Sequence, residues 1–265
     1  MISQCCKNRG VRYPSPERSW KEDGLTEVDY DLLLSLLKKL SSSTLAEQKE
    51  AARALRSLTK RLPSFRAYFS ESIESIPQLL TPLIEPEIDP DLHQDLITTL
   101  MNLSTHERNK QIVAKTPMVI PILLDALRSG RMETKSNAAA TLFTLSSLSS
   151  NKSLIGKADA LKPLIDVLEE GQSLAMKDVA STIFNLCIDD ENKGHAVENG
   201  EVRVILKKIE ERVHVDELHV ILALLTSHYK AVVEMADLGA VSCLFRLIKE
   251  TNCERNKEIV SRWFI

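Results

Sequence analysis

The chain is poor in the residues that build most chemistry. It has five cysteines (Cys5, Cys6, Cys187, Cys243 and Cys253), an odd count with no C-x-x-C pair. That argues against a disulfide framework and a zinc ribbon and makes a reducing compartment the expectation. Aromatic residues make up 5%, too few for the stacking platforms that hold single-stranded nucleic acid. Neither sign of charge dominates: 34 Lys and Arg face 37 Asp and Glu, for a net charge of -3. A generic polyanion binder needs clustered cations, so no nucleic-acid partner is expected.

Long apolar runs are missing as well. The richest, "HVILALLTSHY", falls short of the ~18–20 residues of a membrane helix. "MISQCCKNRG" carries no apolar signal-peptide core. The expectation is a soluble protein of the cytoplasm and/or nucleus without membrane insertion. No G-x-S-x-G, P-loop, G-x-G-x-x-G or H-E-x-x-H occurs; His214 and His219 are five apart. The serine runs at 41–43 and 146–150 fit turns between helices, and Cys5-Cys6 has no nearby histidine. No catalytic residue, cofactor or metal is expected from these residues.

What is present is helical periodicity. Glycine numbers only 8, strand-like alternation is nearly absent, and apolar spacings of three and four recur, as in "DLLLSLLKKL" and "LKPLIDVLEE". The fold class is all-α. Laid on itself, the chain repeats. "LMNLSTHERNKQIV" matches "LFTLSSLSSNKSLI" and "IFNLCIDDENKGHAV", with Lys110, Lys152 and Lys193 spaced 42 and 41 residues apart. A looser copy puts Lys230 a further 37 on. A second block, "VIPILLDAL", "ALKPLIDVL", "EVRVILKKI" and "AVSCLFRLI", keeps the phase: Leu127, Leu168, Ile209 and Ile248 lie 41, 41 and 39 apart.

Each unit reads as a short, a middle and a longer third helix. In the clearest copy "NKGHAVENG" ends at Gly200, "VRVILKKIEE" follows, and the preceding third helix "LAMKDVASTIFNLC" is entered after Gly171. Earlier, "YDLLLSLLKKL" is a middle helix and 45–62 a third helix. Asp89-Pro90 supplies a cap and a first-turn proline for "DLHQDLITTLMNLS". A period of about 40–47 with two or three helices is that of HEAT and armadillo solenoids. The glycine between first and second helices and the Asn-Leu closing the third resemble the armadillo pattern, which implies a right-handed α-solenoid of about five to six repeats.

Within this frame "FNLCIDDENKGHAV" (184–197) changes meaning. Cys187, Asp190 and His195 suggest metal ligands, but the sister copies carry Ser104/His106 and Ser146/Ser149 there. A zinc site needs a fixed ligand set. The stretch reads instead as a joint between units, with Cys187 facing the core and Asp190 capping the next helix.

Residues 1–14, "MISQCCKNRGVRYP", resemble the tail of a U-box, whose last helix runs I-x-Q-W-C-x-x-N toward Leu-Pro. Ile2, Gln4, Cys6 and Asn8 match; Cys5 replaces the Trp and Tyr13-Pro14 the Leu-Pro. The expected organisation is a U-box remnant at 1–14, a linker at 15–27 and an armadillo solenoid at 28–265. The order resembles the plant U-box/armadillo ubiquitin ligases. In that family the U-box binds the ubiquitin-conjugating enzyme, through elements that would lie upstream of Met1. The resemblance therefore implies the partner-recognition half of a ligase, inactive alone. "TNCERNKEIVSRWFI" departs from the family's R-x-K-E-N-A at Ile259, and the last repeat is expected to be incomplete.

In armadillo stacks the third helices line a concave binding face. Helical spacing selects Asp95, Thr98 and Asn102, then Asn137, Ala140 and Thr144, then Asp178, Ser181 and Asn185 as exposed positions of that groove. Asn102 and Asn185 occupy the place where peptide-binding armadillo proteins use Asn to hold an extended backbone; Thr144 and Ala223 stand there in other units. Arg53, Thr98, Ala140 and Ser181 stand where such proteins carry Trp, which argues against a reader of nuclear-localisation peptides. The expected partner is a protein or extended peptide, with a ubiquitin-conjugating enzyme only if a U-box lies upstream. Alternatives are an armadillo-only adaptor and, weakest, an enzyme with an unrecognised site.

Overall fold

The computed structural model of the chain describes residues 27–42, 44–85, 87–171, 173–212, 215–240 and 242. The U-box-like tail, most of the linker and most of the last middle and third helices lie outside them. Among the described residues there are helices and no strands. Helix α1 (Glu27–Leu40) and α2 (Leu45–Arg61) are the second and third helices of a unit. Then come three-helix units: α3 (Pro63–Glu71), α4 (Ser75–Leu80, continued by a 3-10 turn at Thr81–Ile84) and α5 (Pro90–Ser104); α6 (Glu107–Lys115), α7 (Val119–Ser129) and α8 (Met132–Ser146); α9 (Ser149–Lys157), α10 (Leu161–Glu170) and α11 (Ser173–Leu186); and α12 (Asp190–Glu198), α13 (Glu201–Glu210) and α14 (Val215–Leu225). Helix α15 (Tyr229–Asp237) opens the next.

The helix boundaries follow local chemistry. Asp89, in extended conformation, accepts the backbone N–H of Asp91 (3.0 Å) and Leu92 (3.1 Å) ahead of Pro90, satisfying donors that have no partner in the first turn. Asp189 does the same for Glu191 and Asn192 at the start of α12. It is thus Asp189, not Asp190, that caps this helix: Asp190 is already inside the helix and its carboxylate pairs with Lys193 at 2.6 Å.

The units stack because no single one can enclose its apolar face. Leu100, Leu142, Ile183 and Leu222 hold one register and are completely buried, as are Leu103, Leu145, Leu186 and Leu225. Leu123, Leu164 and Ile205 form the matching line in the second helices. One hydrophobic core therefore runs through every described unit.

A polar ladder fixes the register of that stack. Asn109 donates through Nδ2 to the carbonyls of Arg66 (2.8 Å) and Leu103 (3.1 Å). Asn151 donates to Lys110 (3.3 Å) and Leu145 (3.0 Å), and Asn192 to Lys152 (3.3 Å) and Leu186 (3.1 Å). Each buried amide joins the first helix of the previous unit to the end of the third helix just before it. The repeated lysines are the next residues along and do different jobs. Lys152 Nζ caps the Asn185 carbonyl at 3.1 Å, whereas Lys110 and Lys193 pair with Glu107 and Asp190. The fourth copy lies two residues off the lysine-based alignment. His228 stands at the N-cap position of α15, as Asp189 does at that of α12, though without a capping bond from its side chain, so Ala231 takes the asparagine position and Lys230 is not the counterpart of Lys193. The period between these units is 39, as the Ile209–Ile248 spacing indicates, and Leu224 rather than Ala223 corresponds to Asn185.

From α6 onward the turn between first and second helices keeps one conformation, which the α3–α4 turn, with Glu74 at φ -83°, does not share. Met118, Asp159, Gly200 and Gly239 hold the same register, with φ of 70°, 57°, 79° and 67°. Glycine adopts this left-handed state freely, and a side chain there costs roughly 1–2 kcal/mol. Met118→Gly is therefore expected to raise stability by about 1 kcal/mol, read as a shift in the urea midpoint at unchanged slope. Gly156→Ala should do the opposite. A methyl group on Gly156 would sit 1.7 Å from Oδ1 of Asn192, whose amide both carbonyls hold in place. A loss of about 2 kcal/mol is expected; an unchanged midpoint would contradict the ladder.

Candidate functional site

Helices α2, α5, α8, α11 and α14 stand side by side in chain order, so their outward positions form one continuous face across the units. The nine positions selected from the sequence fall on it, at two levels of exposure. Asp95, Thr98 and Asn102 are each only 6% exposed, unlike the open positions that spacing suggested. Asn137, Ala140, Thr144, Asp178, Ser181 and Asn185 are half-buried. The difference arises from neighbouring third helices, which approach closely enough for residues on this stripe to bond to one another.

Those bonds form rungs across the face. The Asp95 carboxylate takes Arg56 Nη1 at 2.7 Å and lies 3.8 Å from Arg53 Nε. Asn102 Nδ2 donates to Thr59 Oγ1 (3.1 Å) and to the Arg56 carbonyl (3.3 Å). Asn137 Nδ2 donates to Thr98 Oγ1 (2.8 Å), whose hydroxyl donates to the Gln94 carbonyl (2.6 Å). Asn185 Nδ2 donates to Ser146 Oγ at 3.1 Å. Thr144 turns its hydroxyl back to the Ala140 carbonyl (2.9 Å). The amide nitrogens of Asn102 and Asn185 are thus already committed to the preceding repeat, and among the described residues nothing bonds the side-chain oxygen of Asn137 or Asn185.

Asp178 breaks the pattern. Among the described residues its carboxylate makes no hydrogen bond or ion pair, and burial pushes its pKa above the ordinary carboxylate value against the pull of Lys177.

One edge of the face is charged. Lys49 reaches Asp89 (2.9 Å) and Asp91 (3.0 Å), and Arg131 reaches Asp91 (2.8 Å), which links three units. Gln94 donates to Glu133 and Lys135 pairs with Glu170 at 2.7 Å. Sequence reasoning also passed over Phe143 and Phe184. Both are half-buried, share one register and precede Thr144 and Asn185 by one residue; that shared register in two consecutive units was the available signal.

The residues of "FNLCIDDENKGHAV" disperse. Cys187 is fully buried, with Sγ 3.7 Å from Glu201 Oε2. Burial first, then the Glu201 carboxyl, pushes its thiol pKa well up, with Lys193 pulling the other way. Among the described residues no three His, Cys, Asp or Glu side chains converge as metal ligands, and no helix is long and apolar enough to cross a membrane.

The stack of three-helix units, one core and a continuous third-helix face defines an armadillo-repeat protein. A computationally designed armadillo repeat protein for modular peptide recognition shows the same fold, with a TM-score of 0.77 at 16% identity over 87% of this chain and 98% of that one. No protein-family model matches the chain. In sequence it is 50% identical over 263 residues to U-box domain-containing protein 9 of Arabidopsis thaliana, covering 97% of this chain and 57% of that protein. Putative U-box domain-containing protein 46 of the same plant is 44% identical over 256 residues, 94% of this chain and 55% of its own length. Plant U-box domain-containing proteins are thus homologues of this chain, which spans about half the length of the curated relatives it matches.

Glu201 generates a pH prediction. It fills a register held by Val119, Ala160 and Ala240 in the sister units. It is fully buried, its Oε1 has no partner among the described residues, and burial raises its pKa from 4.5 to about 8. A carboxyl whose pKa rises on folding binds more protons in the native state than in the unfolded one. Stability is therefore full below about pH 4.5 and falls as pH rises toward 8. The loss across that window is on the order of a few kcal/mol. Glu201→Gln should flatten this slope in urea titrations from pH 5 to 8; a slope equal to wild type would show that Glu201 is not its source.

Proposed function

We propose that this chain is the partner-binding part of a U-box-type ubiquitin ligase and takes an extended segment of its partner along the third-helix face. The observation that carries the reading is the continuity of that face across α2, α5, α8, α11 and α14. It offers half-buried polar groups at repeat spacing beside the aromatic pair Phe143 and Phe184. An extended peptide carries an N–H or C=O at every residue, so it is matched by acceptors and donors recurring along a line. The free Oδ1 atoms of Asn137 and Asn185 supply such acceptors while their nitrogens hold the scaffold. Support also comes from the designed armadillo neighbour, described as made for modular peptide recognition, and from the U-box relatives. On this reading the chain acts in the cytoplasm and/or nucleus and presents a bound protein to ubiquitin transfer; the conjugating enzyme engages a U-box, not this solenoid.

The test is panning of a random dodecapeptide display library against the chain. Selected peptides should lose binding at least tenfold in Ser181→Arg and Thr144→Arg, with thermal unfolding unchanged. Peptides indifferent to both substitutions would place recognition elsewhere. Once a protein partner is in hand, ubiquitin transfer to it by a U-box-containing relative separates the ligase reading from a simple adaptor, which would bind without transfer.

A further inference from the structure

We infer that the gap between Asp178 and Ala140 is a specificity pocket for a lysine or arginine side chain of the bound peptide. The inference rests on the third-helix face being the binding surface and adds what it selects.

The argument comes from the rungs. The residue at the register of Asp95, Asn137 and Asp178 faces, in the preceding unit, the register of Arg53, Thr98 and Ala140. In the first pair the carboxylate meets arginine: Arg53 at 3.8 Å, and Arg56 one turn along at 2.7 Å. In the second the amide meets a hydroxyl at 2.8 Å. In the third the facing residue is alanine, which has nothing to donate.

Separation of the helices does not account for the missing partner. One turn before, Ser136 Oγ donates to the Leu174 carbonyl at 3.3 Å; one turn after, Thr182 Oγ1 lies 3.3 Å from the Ala139 carbonyl. Helices α8 and α11 are in contact on both sides of the gap. Asp178 is held between them, half-buried and without an ion pair among the described residues, while the neighbouring Lys177 stays on its own helix without bonding it.

A carboxylate partly removed from water is costly unless a cation or donors reach it. The first repeat interface supplies that cation from within the protein, through Arg53 and Arg56. At the Asp178 interface the same position is open to the face, because the Ala140 side chain ends at Cβ. A peptide lying there presents side chains at fixed spacing. One bearing a guanidinium or ammonium group restores the missing rung through a charge-assisted bond of the strong class. Half-buried Ser181, one turn along α11 from Asp178, lines the same opening with a hydroxyl.

The experiment uses the dodecapeptide library with three forms of the full chain: wild type, Asp178→Asn and Ala140→Ser. Asp178→Asn copies the residue at Asn137 one unit earlier, and Ala140→Ser supplies an internal donor, so both fit the fold; thermal unfolding checks this. Wild type should select peptides with Lys or Arg at one fixed position relative to the rest of the motif. By fluorescence anisotropy such a peptide should bind each variant about tenfold or more weakly, the loss associated with one bond to a charged group. Replacing that Lys or Arg by norleucine should cost wild type the same factor and Asp178→Asn nothing. Selected peptides that depend on Ser181 and Thr144 but lack a fixed basic position, or bind Asp178→Asn unchanged, would overturn this inference and leave the binding face standing. Absence of any peptide sensitive to Ser181→Arg would overturn both.

Discussion

Three successive interfaces of the solenoid each turn on one buried amide. The carbonyls closing a third helix have no intrahelical partner, and the chain must leave that helix at a sharp angle to start the next unit. A buried asparagine resolves both demands. It takes the closing carbonyl with one N–H and a carbonyl of the previous unit with the other, at Asn109, Asn151 and Asn192 alike. The aliphatic lines through Leu100, Leu142 and Ile183 supply most of the cohesion, but apolar contact is non-directional. The paired hydrogen bonds assign each unit a single rotation and height relative to its neighbour. The side-by-side order of the third helices, and so the face they present, descends from that assignment.

The same economy governs the face itself. Residues that resemble ligand contacts are first of all contacts between repeats: Asn102 and Asn185 hold Thr59 and Ser146, and Asn137 holds Thr98. A ligand meets the atoms these bonds leave over. Specificity can then arise without any residue dedicated to it, simply where one unit's sequence fails to complete a bond that its neighbours make.

Much of this was legible in the sequence because period and register survive translation into structure. The three-helix unit, the third helices at 45–62 and 91–104, the Asp89-Pro90 start and the turns at Gly171 and Gly200 were all readable from spacing and cap chemistry. Three things were not. Asp95, Thr98 and Asn102 were assigned to solvent because spacing identifies a stripe but not how close the next helix comes. The lysines at 110, 152 and 193 drew notice where the asparagine before each holds the joint, since charge is conspicuous and burial is not. Lys230 then misaligned the fourth copy, where a shorter period moves Ala231 into the asparagine position. Glu201 went unnoticed because a glutamate opening a helix is commonplace; only its burial beside Cys187 singles it out.

Ala231 makes the last described interface different in kind. There α15 meets α12 through aliphatic packing and the exposed Lys230–Glu198 ion pair at 3.0 Å, with a methyl group where the three earlier interfaces have a two-armed amide. In a repeat array, stability propagates through nearest-neighbour coupling. A joint held by apolar contact and a surface ion pair, without a buried amide, fixes the rotation of its two units less firmly than the three joints before it. The described third-helix face, α2 through α14, lies wholly on the near side of that joint, among units whose successive contacts carry the buried amides.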